Sequence, residues 1–145
     1  MSPLIEVVRR AGWAPIAAVV VQQAAVWWGV RREADPLVHF CGGAAAAYFV
    51  LRGSQAFAHR LGISRRATHW LVAFAGARTA ALSCELVEFT SDQWLGSHAQ
   101  ESLRETMLDL VFGVAGALAA LAVAWVFERR ACRIEDPQAP GDPHP

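Results

Sequence analysis

Four long apolar blocks separated by short charged runs set the pattern of this chain. The first covers about Ala11–Val30, twenty residues. At about 1.5 Å per residue, that length matches a hydrocarbon core about 30 Å thick. The second covers about Pro36–Leu51, the third about His69–Thr90 and the fourth about Thr106–Phe127. The expected fold is all-α. It is a polytopic membrane protein with a four-transmembrane-helix bundle in residues 1–134, spans at 11–30, 36–51, 69–90 and 106–127, and a proline-rich disordered tail at 135–145.

Details within the blocks fit this reading. Trp13 and Trp27-Trp28 stand at opposite ends of the first, as an interfacial aromatic belt requires. Gln22-Gln23 at mid-block is expected to hydrogen-bond a neighbouring helix. The second block, His39-Phe-Cys-Gly-Gly-Ala-Ala-Ala-Ala-Tyr48, is dense in glycine and alanine and should be the central helix. Gly113, Gly116 and Ala120 make a packing face on the fourth.

The connectors decide orientation. Arg31–Pro36 reads as a short polar link, with Pro36 suited to the first turn of the next helix. Arg52–Ala67 is basic, and Ser91–Glu105 carries Asp92, Trp94, His98 and Arg104. With a cytoplasmic N-terminus, nine arginines fall inside and three outside. The positive-inside rule therefore places both termini in the cytoplasm. Arg9-Arg10 before the first block looks like the start of a signal peptide. The apolar run continues to Val30, however, so an uncleaved span is expected.

Composition adds little. Hydrophobic residues are 54% of the chain, and the net charge is zero, which gives no field for a nucleic-acid partner. Three cysteines without CxxC spacing argue against a disulfide framework or a finger-like zinc site. Cys41, Cys84 and Cys132 are expected to be small buried packing residues.

The chemistry lies in the polar residues inside the spans. A charge at the centre of a bilayer helix costs roughly 2.5–3.5 kcal/mol, so Arg78, Glu85 and Glu88 mark a functional-site hypothesis. Glu85 and Glu88 share one helix face, about 60° apart, with Arg78 on nearly the same stripe two turns deeper. In the expected topology His39, Glu85, Glu88 and Asp109 reach similar depth near the outer leaflet, from three helices. These four are the candidate catalytic residues. They are also candidate metal ligands, a donor set suited to a divalent metal ion such as zinc, manganese or magnesium. Without a metal, the paired carboxylates would share a proton and serve in acid–base chemistry or a proton relay. Arg78 and Arg104 are the candidate substrate-binding residues, for a phosphate, although structural pairing of Arg78 with the carboxylates competes with that role. His98 and Asp92 could complete or cover the site.

His39-Phe40 at the start of a span, Glu85-Leu-Val-Glu88, and Asp109-Leu110 with Gly116 following resemble the VanZ-like group of small bacterial membrane proteins and a neighbouring group of uncharacterised inner-membrane proteins. The resemblance covers about Pro36 to Ala120. It departs from the VanZ-like pattern at Glu88, where that group more often has glutamine. It implies that His39, Glu85, Glu88 and Asp109 are the group's polar positions, and that the protein has an envelope role in the inner membrane.

Three functions compete. The first is a membrane protein whose outward polar site binds or acts on a lipid or cell-envelope molecule, as a metal- or carboxylate-dependent hydrolase or transferase. The second is a small transporter or proton/cation pathway, formed by a homo-oligomer because four short helices enclose little volume. The third is a structural partner subunit using its Gly/Ala faces. No nucleophile elbow, phosphate-binding glycine loop or nucleic-acid motif is present.

Overall fold

The computed structural model describes residues 2–97, 100 and 102–135, with side chains described as far as Ala131. The elements are α1 (Pro3–Ala11), α2 (Trp13–Trp27), α3 (Arg31–Ala56), α4 (Ala58–Leu61), α5 (Arg66–Leu95) and α6 (Leu103–Glu135). The protein is all-helical, with no strand among the described residues. Three helices are long and apolar enough to cross a membrane: α3, α5 and residues Leu103–Ala131 of α6. α2 is apolar but has only 15 residues.

Several helix boundaries differ from those expected. The first span is shorter than expected: α2 runs only from Trp13 to Trp27, and Gly12 separates it from α1, which precedes the block. Arg31–Pro36 is not a connector: α3 begins at Arg31 and runs through Pro36. α3 also continues to Ala56, and α5 to Leu95. Polar residues extend each helix past the apolar core because backbone hydrogen bonding carries on where side-chain hydropathy changes. At about 1.5 Å per residue, α3, α5 and α6 are each about 39–50 Å long and project beyond a core of about 30 Å. The expected disordered tail falls, apart from Glu135 at the end of α6, on residues outside those described.

The turn between α2 and α3 is tight because Gly29 adopts φ 71°, a left-handed conformation that costs glycine little. α3 then packs against α1, α2, α5 and α6, most extensively against α6, and is the central helix. The buried cluster is built from small residues. Ala47, Ala73, Ala77, Ala117 and Ala124 surround Leu51 and Leu121, and Leu51 is the one large side chain fully buried among the described residues. Large residues such as Leu71, Leu82, Val87, Leu118 and Val123 point outward. This inversion of a soluble core follows from the solvent. In lipid, hiding a leucine gains little, and close backbone approach gains dispersion contacts.

Glycine makes the closest approach. A Cβ on Gly43 would overlap the carbonyl oxygen of Gly113, and one on Gly116 would overlap that of Phe40. α3 and α6 run in the same direction and touch backbone to backbone at this crossing. Polar residues on the outward face of α5 are satisfied within the helix: Thr79 donates to the Ala75 carbonyl (3.0 Å), and Ser83 to that of Thr79 (2.8 Å). At the end of the bundle where α3 finishes, Glu128 accepts from Arg52 (3.4 Å), Gln55 (3.0 Å) and Arg66 (2.6 Å). Buried His69 pairs there with Ser54 (3.1 Å), whose hydroxyl donates to the Leu51 carbonyl.

Candidate functional site

The site lies at the opposite end, where α3 and α6 begin. Because α3 starts at Arg31, Asp35 and His39 fall one turn apart on the same helical face. Parallel α6 brings Asp109 alongside them, and α5 brings Glu85. The helices extend past their expected ends, so Glu85 lies about 15 Å and Asp109 about 9 Å in from their helix termini. That is deeper than the outermost turns.

The imidazole of His39 is surrounded by carboxylates. Its Nδ1 is 3.9 Å from Glu85 Oε1, while its Nε2 is 3.6 Å from Asp35 Oδ1 and 3.8 Å from Asp109 Oδ1. All three exceed hydrogen-bond length, so these are close approaches and not hydrogen bonds. Side-chain exposure is 6% for Glu85, 10% for Asp109 and 18% for His39. No hydrogen-bond donor among the described residues reaches Asp109.

Glu85 is held from the far side of the ring. Asp92 accepts from the Ser97 hydroxyl and the Gln100 backbone N–H (2.8 Å), folding the connector back over the end of α5, where Gly96 caps the helix at φ 65°. The Gln100 side-chain amide then donates to the Glu85 carboxylate (3.3 Å) and to its backbone carbonyl (3.2 Å). Asp92 organises the cover, and Gln100 makes the contact. His98 lies outside the described residues.

A cavity of about 200 Å³ opens beside the histidine. Gln22, Arg31, Asp35, His39, Cys84 and Glu88 are among its lining residues, so Glu88 faces the cavity from the turn beyond Glu85. Cys84, expected to be buried, is exposed here as a free thiol: it lies on the same stripe of α5 as buried Ala77, seven residues earlier, but borders the cavity. Cys41 is half-buried; the side chain of Cys132 lies outside those described. On the opposite face of α3, a largely apolar crevice of about 650 Å³ lies between α2, α3 and α6, with Phe40, Cys41, Ala44 and Tyr48 on its α3 wall.

The two arginines do not converge. Arg78 packs its guanidinium against α6, with Nη1 3.2 Å from where a Gly113 Cβ would stand. That Nη1 is buried without a hydrogen-bond partner, and among the described residues no carboxylate pairs with Arg78. The expected structural pairing is therefore not made, because the guanidinium turns toward the glycine seam. Arg104 is exposed near the start of α6, about 13 Å along the axis from Gly113.

Asp35, His39 and Asp109 each place a ligand atom within 4.8 Å of the others, a grouping that could hold a metal ion. Asp35 was hidden from sequence reasoning by its assignment to a connector. The signal was present as Asp-x-x-x-His, the i, i+4 spacing that places two donors together once the helix is extended. Gln100 carried no comparable signal.

No curated protein and no solved structure matches this chain. The family described as "Predicted membrane protein (DUF2238)" matches residues 16–130, which include Asp35, His39, Glu85, Glu88 and Asp109, and the chain belongs to that family.

Proposed function

We propose that this protein is a four-span, multi-pass protein of the bacterial inner membrane, with both termini cytoplasmic, whose outward-facing end binds or acts on a lipid or cell-envelope molecule. In this reading α2 is the fourth span, with α1 leading into it. The arginine distribution supports the orientation. A reporter fused after Pro145 should be active only on the cytoplasmic side; activity outside would overturn the topology.

The observation that carries the site is His39 held between Glu85 and Asp109 beside a cavity. An imidazole with a carboxylate facing each ring nitrogen is oriented for general acid–base work, and Glu88 faces whatever enters the cavity. In a hydrolase or transferase, His39, Glu85, Glu88 and Asp109 would move the proton or hold the reacting group. Arg78, buried with an unpartnered nitrogen, would meet a negatively charged group that reached it, and exposed Arg104 would attract one to the rim. The apolar crevice across α3 has the character an acyl chain needs. The resemblance of His39, Glu85 and Asp109 to VanZ-like polar positions supports an envelope role.

A proton or cation pathway is less well supported. Below the cavity the bundle axis is filled by Ala47, Leu51, Ala73, Ala77 and Ala117, which favours a blind pocket. Mass spectrometry of the detergent-purified protein tests the leading reading. A retained lipid or envelope molecule is expected in the wild type and should be lost from Glu85→Gln. Finding no such molecule, or equal retention in the folded variant, would overturn it.

A further inference from the structure

We propose that Asp35, His39 and Asp109 form a binding centre for a divalent cation of the zinc or manganese type, with His39 ligating through Nε2 and Glu85 steadying the ring from Nδ1. The proposal deepens the site described above and rests on that reading for what the cation would serve.

The separations suit such a centre. Ligand bonds of about 2.0–2.2 Å in a tetrahedral site put donor atoms about 3.3–3.6 Å apart. His39 Nε2 is 3.6 Å from Asp35 Oδ1 and 3.8 Å from Asp109 Oδ1. A cation would need to draw His39 and each carboxylate together by only a few tenths of an ångström, and the two carboxylates, which lie within 4.8 Å of each other, by no more than about 1.5 Å. One imidazole and two carboxylates are nitrogen and oxygen donors, which exclude soft cations such as copper(I) and suit zinc or manganese. Three protein ligands leave a position for water or a substrate oxygen.

Asp109 supplies an independent argument. Its side chain is nine-tenths buried in an apolar helix and turns toward His39, yet no described residue gives it a hydrogen bond. A carboxylate in that position costs free energy that the His39 contact, too long for a hydrogen bond, offsets only in part. A cation held jointly with His39 and Asp35 would offset it.

Glu85 supplies the third. Metal-bound histidines almost always give their second ring N–H to a carboxylate or carbonyl, which fixes tautomer and orientation. Glu85, buried and tethered by Gln100, faces that second nitrogen. This assigns Glu85 a positioning role and places Glu88 outside the ligand set, on the cavity side. Asp35 and His39 both line the cavity, which gives the cation its way in.

The test uses the full chain in detergent, stripped with a chelator, incubated with zinc or manganese and desalted. One ion per chain is expected by plasma mass spectrometry. Competition titration should show His39→Gln, Asp35→Asn and Asp109→Asn weakened by more than about 100-fold, and Glu85→Gln by about 10–100-fold. His59→Gln, on exposed α4, should bind as the wild type does. If Asp109→Asn does not fold, Asp35→Asn decides, because Asp35 is only half-buried and near the start of α3. A wild type that binds neither metal, or an Asp35→Asn protein that binds like the wild type, overturns the proposal. If the cation is absent while lipid retention still depends on Glu85, the centre falls and the proposed function stands. A cation bound by a protein that retains no lipid gives the reverse.

Discussion

Gly43 and Gly113 press their backbones together one helical turn below His39 and Asp109, so the glycine contact sets the distance across the site. Four residues separate each glycine from its partner in the site, and the two helices run in the same direction. Any side chain added at the contact would spread α3 from α6 and separate the imidazole from the carboxylate.

Gly43→Ala should therefore be destabilising, by about 1–3 kcal/mol, the range for forcing an extra carbon into a packed seam. Gly42→Ala is the internal control, because a Cβ there meets nothing within 4 Å. It should be neutral, or stabilising by roughly 0.5–1 kcal/mol from helix propensity. Thermal unfolding in detergent separates the two, and equal melting temperatures would mean that the helices are not in backbone contact.

Asp109→Asn should raise or preserve stability in chelator-treated protein while abolishing the site's function. The substitution removes a buried charge that no described donor reaches, so a gain on the order of 1 kcal/mol is expected. Unfolding of wild type and variant, each with and without zinc, checks this. A strongly destabilised metal-free variant would contradict it.

Glu128→Ala should loosen the opposite end and leave the site alone. Glu128 joins Arg52 and Gln55 of α3 to Arg66 of α5, but Arg66 is 52% exposed, so that ion pair contributes little. The net cost is expected to be about 1–2 kcal/mol, mostly from the half-buried Arg52 and Gln55 interactions. Lipid and metal binding should be unchanged once the protein is folded.

Gln100→Ala removes the amide that tethers Glu85. Stability should fall by no more than about 1 kcal/mol, the worth of an ordinary hydrogen bond. Cation affinity should fall by about tenfold, because an outer partner then no longer steadies Glu85. Unchanged affinity in a direct titration would show that the connector plays no part in the site.

Much of this protein is legible in the order of its residues. Apolar blocks with charged separators dictate membrane-length helices, because a backbone in hydrocarbon must bond within its own segment. Glycine and alanine in the second and fourth blocks mark the close-packed faces, and His39, Glu85, Glu88 and Asp109 stand out because charge is rare there. Hydropathy could not place the helix ends, since polar residues such as Arg31 to Asp35 remain helical when the backbone has no reason to stop. That is why Asp35 had to wait for the structure. Only the tertiary fold decided that His39 turns one nitrogen to Glu85 and the other to Asp35 and Asp109, that Gln100 reaches back to Glu85, and that Arg78 turns to the glycine seam. Those are facts of rotamer and helix rotation, set by which small residues let which backbones touch, and no periodicity along a single helix contains them.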